Sequence, residues 1–456
     1  MSGLNSIMDT SLSALYAAQA GLATTGHNIA NANTPGYSRQ TVLFAARRPD
    51  LLPYGAIGRG VEIQGIRRIQ DEFLLNNLRA QSARYESYAA MDTTLYEIEA
   101  IMGSVDNDHL GDALNNFFNS WNALAQPPVN TSLKEDVVTN AVSLVNDFHS
   151  VSDSLDDLEA DIELGIQSEI ANLNRLLTQV ADMNKQIMAS ETNGEPANDL
   201  RDQRDYLITE VSKIAQVSVH EREDGTKDVI LAGRTMVARD SVTLFEPTYE
   251  KTADGYQMTI VTQGTLQKVA LSDGKLSGLL ESRDTHVASV REQLDAVAVQ
   301  LIEDVNALHT QGRTSLSSGQ AFFTGDSMHT IGVNEAILSN SDMVAMGRSG
   351  ADGDTALAQE IADLANAGRG GVGTKSVTDS YRAFLTNVAS KRASYEFMVE
   401  NQQNVVASLE TRLASVAGVS LDEEGANMVK FQNSYNAAAK VISTVQELYD
   451  TLLNMV

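Results

Sequence analysis

Residues 368–376, GRGGVGTKS, are the first place where spacing suggests chemistry. The run matches G-x-G-x-x-G and nearly matches a P-loop, in which backbone N–H groups cradle phosphates and a Lys directly after the last Gly reaches them. Here Thr374 stands between Gly373 and Lys375. The preceding LAQEIADLANA reads as helix, where both fingerprints need a strand, so the loop reads as a connector. The histidines at 27, 109, 149, 220, 286, 309 and 329 form no H-x-x-x-H pair. Zinc needs convergent ligands, so each reads as a surface or packing residue. There is no cysteine, which excludes thiolate metal sites, a Cys nucleophile and disulfides. Gly347-Arg348-Ser349-Gly350-Ala351 misses the G-x-S-x-G elbow at its last position. Asp352-Gly353-Asp354 lacks the remaining spacing of a calcium loop and reads as a turn. No pair stands out among the 60 acidic residues. The sequence therefore assigns no catalytic residue, no cofactor and no metal, and the expectation is a protein that is not an enzyme.

With chemistry set aside, composition bounds the answer. At roughly 150 residues per domain, a chain of 456 residues suggests three domains. Hydrophobic residues make up 43% and aromatic residues 5%, with Trp121 the single Trp, so the cores are mostly aliphatic. The formal charge is −27. That argues against nucleic acid and anionic lipid as partners and keeps copies apart until something overcomes the repulsion. No run approaches the ~18 apolar residues of a membrane span. MSGLNSIMDTSLSALYAAQAG has neither the basic nor the compact apolar region of a cleaved secretory signal, so export would need another route.

The elements at the two ends carry the strongest pattern. In residues 1–38 Asp9 is the only Asp, Glu, Lys or Arg. Leu4, Met8, Ser11, Leu15, Ala18, Leu22, Thr25 and Ile29 alternate spacings of four and three, a coiled-coil seam. Met428, Phe431, Tyr435, Ala438, Ile442, Val445, Tyr449, Leu452 and Val456 do the same, and 425–456 carries only Lys430, Lys440, Glu447 and Asp450. An exposed helix normally carries many charges. Two charge-poor seams predict helices that pair with each other and with neighbouring subunits. The predicted interface residues are Leu4, Met8, Leu15, Leu22, Ile29, Met428, Phe431, Tyr435, Ile442, Val445, Tyr449 and Leu452. The first helix should stop within His27–Tyr37, where Pro35-Gly36 suits the centre of a type II turn; Asn31, Asn33, Thr34, Pro35, Gly36 and Tyr37 make up this turn motif.

Between the ends, 40–46 and 59–68 read as a long hairpin. Residues 70–102 and 110–190 read as helices broken near Gly103 and Pro127-Pro128, and a further helix runs from Asn198 to about Ile214. From Val217 to Leu271 the pattern is β-like, with Asp224-Gly225, Asp254-Gly255 and Asp273-Gly274 as turns between strands. Helix returns over 276–310 on a heptad seam, 311–374 is mixed and Gly-rich, and a long helix covers 377–416, about 60 Å at ~1.5 Å per residue, with Gly418 placed to end it. The acidic run Asp153 to Glu163 reads as a solvated face.

The fold class is mainly α with an inserted β domain, α+β, in an elongated nested architecture. Residues 1–45 and 420–456 form a terminal coiled-coil domain. Residues 46–214 and 276–419, including 311–374, form a helical rod domain with a hairpin. Residues 215–275 form an outer β-rich domain at the far tip.

ANANTPGYSRQ, residues 30–40, resembles the signature shared by flagellar rod, hook and hook-associated proteins. The C-terminal GVSLDEEGANMVKFQNSYNAAAKVISTVQELYDTLLNMV is similar to its partner at the other end. NDLRDQRDYLITEVSKIAQVSV, then GKLSGLLESRD followed by LDAVAVQLIEDVNALHTQG, narrow the resemblance to the FlgK family of hook-associated proteins. It spans nearly the whole chain, which nevertheless looks short for the family, as if an outer domain were missing. The resemblance implies a structural role joining hook to filament at their junction, extracellular, after type III export through the flagellar channel. It implies a homo-oligomeric helical ring between hook protein and the second hook-associated protein (FlgL type). It also implies terminal helices that line the channel and order on assembly, and an export chaperone (FlgN type) at the C-terminal region. A hook or rod protein is the nearest alternative, disfavoured by RDQRDYL and LESRD. A nucleotide-using enzyme would rely on 368–376, and an adhesin would not need two charge-poor ends.

Overall fold

The computed structural model describes residues 2–52, 55–103, 109–126, 130–252, 255–351, 353–368 and 375–454. Pro127-Pro128, Asp254, Asp352, Val456 and most of the 368–376 loop lie outside them. Its element order is helix α1 (Ser2–Ala30), strands β1 (Gln40–Ala46), β2 (Asp50–Leu52), β3 (Gly55–Ile57) and β4 (Val61–Arg68), and helices α2 (Glu72–Met102), α3 (His109–Leu124), α4 (Thr131–Ser190) and α5 (Asn198–Ile214). Strands β5 (Val217–Glu221), β6 (Lys227–Leu231), β7 (Arg234–Ala238), β8 (Ser241–Val242), β9 (Phe245–Thr252), β10 (Gly255–Thr262) and β11 (Gln267–Lys268) follow. Then come helices α6 (Lys275–Glu281) and α7 (Ala288–His309), strands β12 (Phe323–Thr324) and β13 (Gly332–Val333), and helices α8 (Glu335–Ser339), α9 (Ala356–Asp363), α10 (Val377–Ala417) and α11 (Leu421–Asn454). The class is mainly α with inserted antiparallel β structure, as the hydrophobic periods predict.

The chain divides into two compact units, residues 1–86, 169–274 and 402–456, and residues 87–168 and 275–401. In the first, α1 and α11 pack along each other and the β1–β4 hairpin lies against α1. The hairpin register runs Gln40↔Arg68 to Ala46↔Val61 with a bulge at Leu43/Phe44, and the Val61 N–H donates to Ser13 Oγ at 3.2 Å. The strands of 217–268 belong to this same unit, as one sheet ordered β5-β6-β7-β8 and another ordered β11-β10-β9. Asp273-Gly274 does not join two strands; it leads from β11 into α6. Periodicity after Leu271 was too short to separate a strand-to-strand turn from a strand-to-helix one.

In the second unit the core is aromatic as well as aliphatic. Trp121 is fully buried and its ring meets Phe322 and His309 edge-on, at 5.5 and 6.1 Å. His309 is a packing residue, its Nε2 accepting from the Ala345 N–H at 3.0 Å. The helix expected over 276–310 is interrupted by a π-helical turn at Ser282–Val287. Such a turn inserts a residue into the seam, which a heptad count cannot detect. In the first unit, Gly418 follows α10, its N–H donating to Ala414 O at 2.9 Å.

Candidate assembly site at the signature turn

The end of α1 shows why the Asn-rich run has its composition. Asn31 caps the last turn, its N–H reaching His27 O at 3.1 Å, and Thr34 N–H reaches Asn31 O at 2.9 Å. Thr34 Oγ1 donates to Asn31 Oδ1 at 3.1 Å. Tyr37 N–H then closes a four-residue turn onto Thr34 O at 3.2 Å, with Pro35 and Gly36 at its centre. Gly36 has φ +77°, and a Cβ there would stand 2.8 Å from Tyr206 Cβ. The left-handed region disfavours a side chain, and here α5 also leaves no room for one. Asn33, Thr34, Pro35 and Gly36 are exposed, whereas Asn31 and Tyr37 are half-buried.

Past the turn, the chain enters a buried polar clamp. Asn28 bonds the Gln40 backbone both ways, donating from Nδ2 to Gln40 O at 2.9 Å and accepting the Gln40 N–H at 3.0 Å. It also donates to Glu424 Oε2 at 3.2 Å and accepts the Tyr37 hydroxyl at 2.7 Å. Burial, followed by the charges of Asp199, Asp202 and Glu424, pushes the Tyr37 phenol up, so it stays a donor. Arg39 donates to Glu424 Oε1 at 2.7 Å and to Glu423 Oε2 at 2.8 Å, and its N–H reaches Ala417 O at 2.8 Å. These bonds fasten the start of α11 to the turn.

The other face of the clamp is α5. Ser38 N–H donates to Asp202 Oδ2 at 2.8 Å, and Gln40 Nε2 to Asp199 Oδ1 at 2.7 Å. Arg68 of β4 bridges Asp202 and Asp205, each at 2.8 Å. Lys227 of β6 meets Asp205 at 2.9 Å and Glu72 at 2.7 Å. Burial alone would raise the Asp205 carboxyl, but Lys227, Arg68, Arg204 and Arg79 outweigh it and hold it well below the ordinary range. Burial dominates at Asp202 and pushes it up despite the Ser38 N–H and Arg68. Desolvation cancels most of the attraction in buried ion pairs, whereas removing one partner leaves the other charge uncompensated. Asp205, Arg204 and Lys227 are all under 5% exposed. Asp205 is thus shared between Lys227 and Arg68. Among the described residues Asp153, Asp156 and His329 bring ligand atoms within 4.8 Å, but all three are exposed and Asp156 already meets Arg291 at 2.6 Å.

The two seams come together. Leu4, Met8, Leu15, Leu22 and Ile29 are half-buried on α1, as are Met428, Phe431, Ile442 and Tyr449 on α11; Val445 is buried. A Cβ at Gly21 would lie 2.6 Å from the Phe431 ring, so α11 crosses close over α1 there. Phe431 also stands 6.4 Å from the Phe44 ring of the hairpin, and Tyr449 hydrogen-bonds Asn5. Tyr435 and Leu452 remain 37% and 46% exposed. The clamp partners Asp202, Asp205, Glu424 and Lys227 were not identifiable as such from the sequence. For Asp202, Asp205 and Glu424 the signal was the charge density of RDQRD and DEE; Lys227 lies in neither stretch.

A model described as "Flagellar hook-associated protein FlgK helical domain" matches residues 95–323. The chain belongs to the FlgK family of flagellar hook-associated proteins. Its ends match models shared more widely, "Flagella basal body rod protein" over 8–37 and "Flagellar basal body rod FlgEFG protein C-terminal" over 414–455. Those two segments are the ones that meet in the seam and clamp. Among FlgK relatives, the flagellar hook-associated protein 1 of Escherichia coli K12 is 25% identical over 554 alignment positions, covering 99% of this chain and all of the relative. That of Bacillus subtilis 168 is 28% identical over 497, covering 98% and 97%. Both alignments are longer than the 456-residue chain, so these relatives carry insertions that it lacks. The flagellar hook junction protein FlgK of Burkholderia pseudomallei shares the fold at a TM-score of 0.68 and 14% identity, over 75% of this chain and all of that one.

Proposed function

We propose that this chain is a structural subunit of the bacterial flagellum at the hook–filament junction. It joins hook protein to the second hook-associated protein (FlgL type), forms a homo-oligomeric helical ring and has no enzymatic role. It reaches the extracellular junction through the type III export channel, with a FlgN-type chaperone on its C-terminal helix before export. Residues 1–45 with 420–456 act as the assembly module, 46–214 with 276–419 as the helical module, and 215–275 as the β module. Among the described residues no helix is long and apolar enough to cross a membrane.

One observation carries the reading. Two helices, charge-poor over 1–38 and 425–456 and each matching a flagellar axial model, pair along a seam that is largely half-buried in one chain. Residues such as Tyr435 and Leu452 keep apolar surface for neighbouring subunits, and contiguous exposed apolar surface marks an interaction site. The test is electron microscopy of cells lacking the gene. Hooks without filaments, restored by the wild-type gene, are expected; normal filaments in the deletion overturn the reading.

A further inference from the structure

The hairpin between β1 and β4 departs from the rest of the molecule in charge. In a chain of net charge −27, residues 39–68 hold six arginines against Asp50 and Glu62. Arg39 and Arg68 turn inward to the clamp. Arg47, Arg48 and Arg67 are exposed and have no acidic partner within ion-pair distance among the described residues, and Arg59 is 3.7 Å from Asp50. The arm is also unsupported. Residues 46–51 and 55–59 are all exposed, and Leu51 stands 86% exposed, with Ile57 at 41% and Ile63 at 42%. A two-stranded hairpin without a core is marginal in water. Apolar residues ringed by arginine are the composition of an interface rather than of a solvated loop.

We infer that the arm is a docking finger for a second copy of this chain, and that its arginines meet the acidic stripe of that copy's α4. The inference rests on the ring proposed above. Charge complementarity chooses the occupant. Asp153, Asp157 and Asp161 repeat every four residues, so they lie along one face of the helix. All are exposed and none has a basic partner within ion-pair distance among the described residues. Neighbouring carboxylates Asp156 and Glu159 are held by Arg291, and Glu163 by Arg283, which leaves those three to face outward. Complementary charge of this kind sets register and selects the partner, and it offsets the mutual repulsion of strongly acidic copies.

The test replaces Arg47, Arg48 and Arg67 together by Glu in cells whose own gene is deleted. Filaments per cell should drop at least about tenfold, because each new Glu then faces a carboxylate of the neighbouring copy. Secreted protein and melting temperature should match wild type. Adding Asp153→Arg, Asp157→Arg and Asp161→Arg to the same gene should restore filaments to within about twofold, since every copy then carries both reversals. A triple Arg→Gln variant, which adds no charge, should lose part of the filaments and decides the matter if the Glu variant is not secreted. Normal filaments in these arginine variants overturn the docking finger while leaving the junction reading intact. A defect that the Asp→Arg changes do not relieve overturns α4 of a second copy as the occupant. Filaments in the deletion itself overturn the junction reading and this inference with it.

Discussion

Gly36 has two independent reasons to be glycine, and substitutions can separate them. Its φ of +77° penalises a side chain, most of all a β-branched one, and a Cβ would stand 2.8 Å from Tyr206 Cβ. Conformation alone predicts that Asn is tolerated where Val is not. The contact changes that forecast, because any Cβ meets α5. Gly36→Asn should lower stability by about 1–2 kcal/mol and Gly36→Val by about 3 or more. Adding Tyr206→Ala should recover most of the Asn variant and little of the Val variant. Chemical denaturation of the soluble chain measures this, and equal recovery would remove the backbone argument. Asp205 supports a second forecast. Its folded carboxyl is held below the unfolded value of about 3.9, so its stabilisation is present above that pH and is lost as pH falls below it. Asp205→Asn should cost about 3–5 kcal/mol at neutral pH, by leaving Lys227 and Arg68 buried without their shared partner. It should also flatten the fall of melting temperature below about pH 4. A wild-type acid limb retained in the variant would contradict the assignment.

At the scale of elements, α11 tests which surface belongs to the chain and which to assembly. Val445 is 2% exposed against α1, whereas Tyr435 is 37% exposed. Burying a carboxylate without a partner is strongly unfavourable. Val445→Asp should therefore open the α1–α11 pair in the isolated chain and reduce its helical circular dichroism. Tyr435→Asp should leave that signal near wild type yet still prevent filament attachment. Loss of helix in both variants, or filaments in both, would contradict the division. The seams that make this test possible were legible in the sequence, because α1 and α11 repeat apolar residues at helical spacing with few charges to obscure them. The hairpin was legible from its two extended runs. The clamp was not: Asn28, Arg39, Asp202 and Glu424 are polar residues scattered over almost the whole chain, and only folding brings them together. Their motifs supported a resemblance without revealing that its parts touch. The π-helical turn at Ser282–Val287 was equally hidden, since a single extra residue leaves hydrophobic composition unchanged.

Across the molecule, burial is thin along the paired terminal helices. The face α1 buries is made largely of small or polar residues, including Ser11, Ser13, Ala17, Ala18, Thr24 and Thr25. On α11 only Glu424, Ala438 and Val445 are fully buried. At about 25 cal/mol per Å², such residues return little for ordering two long helices, while the hydrogen bonds of the clamp hold only one end of the pair. Local opening should therefore begin far from the clamp, toward Leu4 and Leu452, and propagate toward Asn28 and Glu424. Limited proteolysis of the isolated chain should cut the exposed arm of 46–59 and trim residues 421–454 and 2–30 first, and leave a resistant remainder that includes α5 and the strands of 217–268. Glu424→Gln weakens the bonds to Arg39 and Asn28 without changing the shape of the side chain. Hydrogen bonds to charged groups contribute about 1.5–3 kcal/mol, so trimming should accelerate by roughly tenfold when cleavage follows the open population. Mass spectrometry of the fragments over time separates the possibilities. Cuts appearing first within 217–268, or ends trimmed at the same rate in the Glu424→Gln chain, would mean that the clamp does not govern the terminal pair.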